Sequence, residues 1–169
     1  LPILLDQQSM DQMGSPYLMA HGLGEPVADA RTTFRISKGG KHRVWVRTRD
    51  WVGQWKSDQF DGAMKASGSP GIFNLVLNDR PLEILFGEKG AEWHWQDGGT
   101  VELAAGEHQL ALRDLTGFNG RCDAIVLSDA PGFVPGGSLA EIQALRDRLL
   151  PRQQTVEEKG DYDLVVVGG

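Results

Sequence analysis

An all-β sandwich is the fold class this sequence predicts, and three observations predict it. Apolar runs of strand length alternate with turn-forming clusters from Thr32 to Ser128. Glycine supplies 22 of 169 residues, where about 7% is usual, so many turns are expected. No apolar run approaches the roughly 18 residues of a membrane helix, and the longest, such as Leu164 to Val167, are strand-sized. A chain of 169 residues suits one domain, alone or with a linker, and is long enough to bury roughly 69% of its unfolded surface without staples.

Each element has its own warrant. Thr32 to Ser37 alternates with Phe34 and Ile36 on one face, and Lys38-Gly39-Gly40-Lys41 is a turn before His42 to Arg49, so the two read as a hairpin. In the second strand Val44, Val46 and Thr48 share the core face, while Arg43, Trp45, Arg47 and Arg49 form a cationic, aromatic outer face. Further strands are expected at Ile72 to Leu77, Leu82 to Phe86, Glu92 to Gln96, Thr100 to Ala104, His108 to Asp114 and Cys122 to Ser128, with another at Tyr17 to Ala20. Asn78 to Pro81, Gly87 to Gly90, Asp97-Gly98-Gly99, Ala105-Gly106-Glu107 and Thr116 to Gly120 supply the turns. Two packed sheets accommodate them.

The sandwich is expected over residues 1–130 and a linker over 131–160. Pro131 to Gly137 opens the linker, and Ser138 caps a helix to about Leu150, where Pro151 stops it. Ser138 with Glu141 is a capping box, and Leu139, Ile142, Leu145 and Leu149 make an apolar stripe. Residues 161–169 then read as a charged lead-in, an apolar strand and the glycines Gly168 and Gly169, the opening of a dinucleotide-binding unit. The third glycine, the helix and the ribose-binding carboxylate do not follow, so no cofactor is expected on this polypeptide, and the break within the motif is expected of an artificial or proteolytic boundary.

Charge and side-chain chemistry narrow the function. The net charge of −6 argues against a nucleic-acid partner. A single cysteine, Cys122, excludes an intramolecular disulfide or a cysteine metal cage, and His21, His42, His94 and His108 lack the close spacing of a metal site. No serine lies in a nucleophile-elbow context, so no catalytic residue is assigned. Trp51 and Trp55 follow a strand in a polar loop, where one or both either cap the end of the sandwich core or stack on the apolar face of a sugar while Arg47, Arg49 and Asp50 bond its hydroxyls. Trp45 between Arg43 and Arg47 suits an acidic glycan, a solvated face or an interface with a further domain. Trp93 and Trp95 read as core aromatics, and Asp123 as a carboxylate bonded by backbone or arginine, with Arg121 the near candidate.

Two resemblances add to this reading. Asp161 to Gly169 resembles the start of the flavin-binding domain of FAD-dependent oxidoreductases. His42 to Trp51, Gly106 to Asp114 and Gly120 to Leu127 resemble the β-sandwiches described as golvesin or xanthan-lyase carbohydrate-binding-domain-like, which are related in shape to galactose-binding-like jelly rolls. The resemblance spans about residues 15 to 130. It implies an N-terminal, non-catalytic module of a secreted or periplasmic flavoenzyme, with FAD held by the parent protein, a glycan as the possible ligand and the flavin domain as a partner in cis. The alternative is a module without glycan affinity that docks on the flavin domain and shapes its substrate entrance.

Overall fold

The computed structural model describes residues 3–6, 16–50 and 71–150. Among the described residues the strands are β1 (Ile3–Asp6), β2 (Tyr17–His21), β3 (Ala30–Ile36), β4 (Gly40–Thr48), β5 (Phe73–Leu77), β6 (Arg80–Phe86), β7 (His94–Leu103), β8 (Gly106–Asp114) and β9 (Phe118–Ser128), followed by helix α1 (Leu139–Leu149). One sheet runs β1-β2-β9-β4-β7 and the other β3-β8-β5-β6. All these pairings are antiparallel. The inner faces meet through Val44 and Val46 from the first sheet and Phe73, Leu75, Phe86 and Leu112 from the second, with Cys122 among them. Phe73 and Phe86 stack at 5.7 Å. Each such side chain contributes about 1.5–3 kcal/mol on burial, enough to order two sheets that share no hydrogen bonds.

The all-β class and the jelly-roll sandwich hold, with three departures in detail. The expected hairpin of β3 and β4 does not form, because β3 pairs with β8 in one sheet and β4 with β7 and β9 in the other. The glycine turn between them arches from sheet to sheet. Asp97-Gly98-Gly99 is not a turn but the middle of one long strand, β7, where the pairing with β4 slips by a bulge between Arg43 and Trp45. Glycine suits position 98 because a Cβ there would crowd Phe86 Cζ at 3.0 Å and Val44 Cγ1 at 3.1 Å. Gly99 takes φ +85°, which costs a glycine least. The third departure is β1, which pairs with β2 in a segment that reads only as apolar.

The helix follows its signals closely. Ser138 accepts from the Glu141 backbone N–H while the Glu141 carboxylate accepts from the Ser138 backbone N–H. The Ser138 hydroxyl also donates to that carboxylate at 2.6 Å, and this bond first, with the backbone N–H second, holds the Glu141 carboxyl below its ordinary pKa. Leu150 is extended, as expected of a residue that precedes proline. Of the apolar stripe, Ile142 is 1% exposed and Leu145 half-buried, while Leu149 stays exposed. The segment 161–169, with Gly168 and Gly169, lies outside the described residues.

Candidate functional site

The outer face of the five-stranded sheet gathers most of the chemistry. Strand alternation turns Val44, Val46 and Thr48 into the core and aims Arg43, Trp45, Arg47 and Arg49 outward. Register then sets Asp97 opposite Trp45 and Trp95 opposite Arg47. Arg43 clamps Asp97 with two guanidinium nitrogens, Nε at 2.7 Å and Nη2 on the second oxygen. The Arg43 hydrogen bond holds the Asp97 carboxyl below the ordinary aspartate range, and the same contact raises the arginine.

A second irregularity supplies the acid for Arg47. Arg47 pairs with Ala124 and Thr48 with Cys122, which leaves Asp123 as an extra residue in β9. A bulge of this kind re-aims a side chain, and the Asp123 carboxylate reaches the outer face. It accepts from Arg47 Nη1 at 3.0 Å and from Arg146 Nη2 of α1 at 2.6 Å. The Asp123 side chain is fully buried, Arg47 is 3% exposed and Arg146 21%. Arg47 also lies over the Trp93 ring at 5.7 Å, and Trp93 packs on Tyr17 at 4.9 Å. The helix is thus seated on the sheet by Ile142 and Arg146, and its approach is fixed by Trp95 Nε1, which donates to the Gly136 carbonyl at 2.9 Å.

Beside this seat an open groove of about 440 Å³ remains. One wall is sheet, with Lys41, Arg43 and Trp45, and the other is the connector that leaves β9, with Asp129 and Phe133. Trp45 and Phe133 are half-buried, and Trp45 Nε1 faces inward without an acceptor, so the indole offers ring surface. By contrast, the void beside Cys122 and Phe73 in the core holds about 10 Å³, room for no more than a water. Burial pushes the Cys122 thiol well up, as expected of an inert side chain. No group of three His, Cys, Asp or Glu residues placed to hold a metal occurs among the described residues.

The expected glycan contacts separate on this map. Trp51 and Trp55 lie outside the described residues. Trp45 lines the groove. Arg47, expected to meet a ligand, is instead sealed between Asp123 and Trp93. Asp50 is 2% exposed, with its backbone N–H on the Gly90 carbonyl at 2.7 Å, so it too presents no open polar group. Arg49 is half-buried, with an Nε that has no partner. Trp95, which β7 sets opposite Arg47, is on the outer face rather than in the core, and Trp93, just before β7, packs against the Arg47 guanidinium and Tyr17 on that face. Arg47 and Arg146 both donate to Asp123, and Arg121 donates to Asn119 O and Tyr17 Oη. Phe133 went unread because a lone aromatic in a Pro-Gly-rich run looks like linker, and Lys41 because it was counted as part of a turn.

No family model and no curated protein matches this chain. Solved structures do. A family 35 carbohydrate binding module from an environmental isolate aligns over 80% of this chain and 88% of its own at 13% identity, with a TM-score of 0.53. The native family 35 carbohydrate binding module from Clostridium thermocellum aligns over 77% and 90% at 12% identity, with a TM-score of 0.55. The GH26-CBM35 beta-(1,4)-mannanase of Podospora anserina aligns over 80% of this chain but only 26% of its own, at 18% identity and a TM-score of 0.54. The chain therefore spans about a quarter of that enzyme and nearly all of the isolated modules. At such identities the likeness is one of fold: this is the jelly-roll β-sandwich that carbohydrate-binding modules use.

Proposed function

We propose that this chain is a non-catalytic carbohydrate-binding module whose glycan lies in the groove beside Trp45. The observation that carries this is the pairing of two half-buried rings, Trp45 and Phe133, with the polar groups of Lys41, Arg43 and Asp129 along one open trough. A pyranose has an apolar face for a ring and hydroxyls at its edge for charged groups, and the trough falls in the ~300–1,000 Å³ range of ligand sites. Few contacts and an open shape imply weak binding. The jelly-roll likeness supports the class of ligand without naming it. Trp51 and Trp55, with Arg49, are the second candidate surface.

The attachment of this module to a FAD-dependent oxidoreductase is proposed on Asp161 to Gly169 alone, as is an extracytoplasmic location on the resemblance. No described helix is long and apolar enough to cross a membrane. The alternative, docking on a neighbouring domain, is favoured by exposed Leu149 and Leu150 at the end of α1.

The test is calorimetric titration of residues 1–169 with mannohexaose, xylohexaose, cellohexaose and trigalacturonate. Binding that disappears in a folded Trp45→Ala variant supports the groove. Loss only in a Trp51→Ala, Trp55→Ala variant moves the site to the loop, and silence from the parent protein across all four sugars refutes the carbohydrate reading.

A further inference from the structure

We infer that glycan occupancy of the groove is coupled to the docking of α1, because the connector that leads into the helix is itself a wall of the groove. The inference rests on the proposal that the groove takes a glycan. The two walls are not equally secure. Lys41, Arg43 and Trp45 belong to β4, which is hydrogen-bonded on both sides by β7 and β9 and braced by the Arg43–Asp97 pair. Asp129 to Val134 belong to no sheet. Within that wall there is one tight turn, Phe133 N–H to Ala130 O at 3.3 Å with Gly132 at φ +72°. It is further held by Ser128, which finishes β9 and accepts from Ala130 N–H at 3.2 Å, by the buried Pro135, and by Gly136, which Trp95 Nε1 holds.

Beyond Gly136 the connector that forms the wall runs into the helix. An 11-residue helix is marginal by itself in water, so α1 persists through its seat, chiefly Ile142 against the sheet and Arg146 on Asp123. When that seat opens, the connector is left to its holds on Ser128 and Gly136, and the wall that sets Phe133 opposite Trp45 loosens. Apparent affinity for a sugar is then reduced by the fraction of molecules with α1 seated. By reciprocity, the sugar stabilises the seated helix by the same factor. Arg146 acts here as a positioning residue, distant from the sugar, and α1 becomes the element through which occupancy reaches the chain beyond Leu150.

The experiment uses the full chain and whichever of the four oligosaccharides binds it most tightly. Dissociation constants are measured for the parent, Arg146→Ala, Arg146→Lys and Leu145→Ser, the last loosening the helix without touching Asp123. Hydrogen exchange of the α1 amides is followed with and without saturating sugar. Coupling requires Arg146→Ala to speed α1 exchange and weaken binding by roughly 5- to 30-fold, Arg146→Lys to restore part of it, Leu145→Ser to shift affinity the same way, and sugar to slow α1 exchange in the parent. Unchanged affinity in a variant whose α1 exchange has accelerated overturns the coupling and leaves the groove reading intact. So does unchanged α1 exchange in Arg146→Ala. Absence of binding by the parent overturns the groove reading and the coupling with it.

Discussion

Replacing Asp123 with asparagine keeps the shape of the side chain and removes the negative charge from between two guanidiniums. The carboxylate oxygens lie 3.0 Å from Arg47 and 2.6 Å from Arg146, the carboxylate has no exposure, and Arg47 has almost none. The two arginines then diverge. Arg146 is partly wet and can turn to solvent, so its share of the loss is at most ~1 kcal/mol, the scale of an exposed pair. Arg47 has no such escape, and stripping the partner from a buried charge costs ~3–5 kcal/mol. We expect Asp123→Asn to lose ~4 kcal/mol, a large part of the ~5–15 kcal/mol that holds a domain together. Urea unfolding followed by tryptophan fluorescence measures it, with an unchanged slope showing that the exposed surface is the same. A loss below ~1 kcal/mol would refute the argument that Arg47 depends on this acid. The complementary pair Arg47→Met with Asp123→Leu removes both charges and should recover most of the loss, since an apolar pair of similar volume is close to neutral there.

Other expectations follow from single contacts. Gly98→Ala crowds a Cβ onto Phe86 and Val44, both fully buried, and should cost ~1–3 kcal/mol in the same urea assay; a neutral result would mean the neighbours or β7 at its bulge can shift. The Asp97 carboxyl is depressed by Arg43, so its contribution is present above the ordinary carboxylate range and is lost as pH falls through its lowered folded-state value. The stability gap between the parent and Asp97→Asn should therefore be widest near neutrality and close towards pH 2, and a gap independent of pH would remove the pair from the account. Cys122 should react with a thiol reagent only at the rate of global unfolding, and rapid labelling of native protein would contradict its burial.

The fold was legible because period-two patterning is a local signal. Val44, Val46 and Thr48 announce a core face, and Ser138 with Glu141 announces a helix start, from residues within a few positions of one another. The arch between β3 and β4 was not legible, since a Gly-rich turn has the same composition whether the chain returns to its own sheet or crosses to the other. Nor was the continuity of β7. Asp-Gly-Gly is strong turn chemistry in isolation, and what overrides it is the Phe86 ring approaching from the other sheet, a contact the local sequence cannot report.

The burial of Arg47 was not legible for a related reason. Alternation correctly aims Arg47 away from the core, and on an open sheet that direction leads to water, where an arginine is free to meet a ligand. Whether the direction is wet, however, depends on two elements far along the chain: a bulge that delivers Asp123, 76 residues away, and a helix that delivers Arg146 to the same carboxylate. Once both arrive, the middle of the face is filled. Beside Trp45, where the helix does not reach, the face stays open, and the connector that brings the helix into place crosses that strip. The seating of Arg146 on the acid that holds Arg47 and the shaping of the groove therefore both come with the segment after Ser128. A site read from the β-strands alone would include Arg47 and omit Phe133, whereas a site read from the strands together with that segment does the reverse.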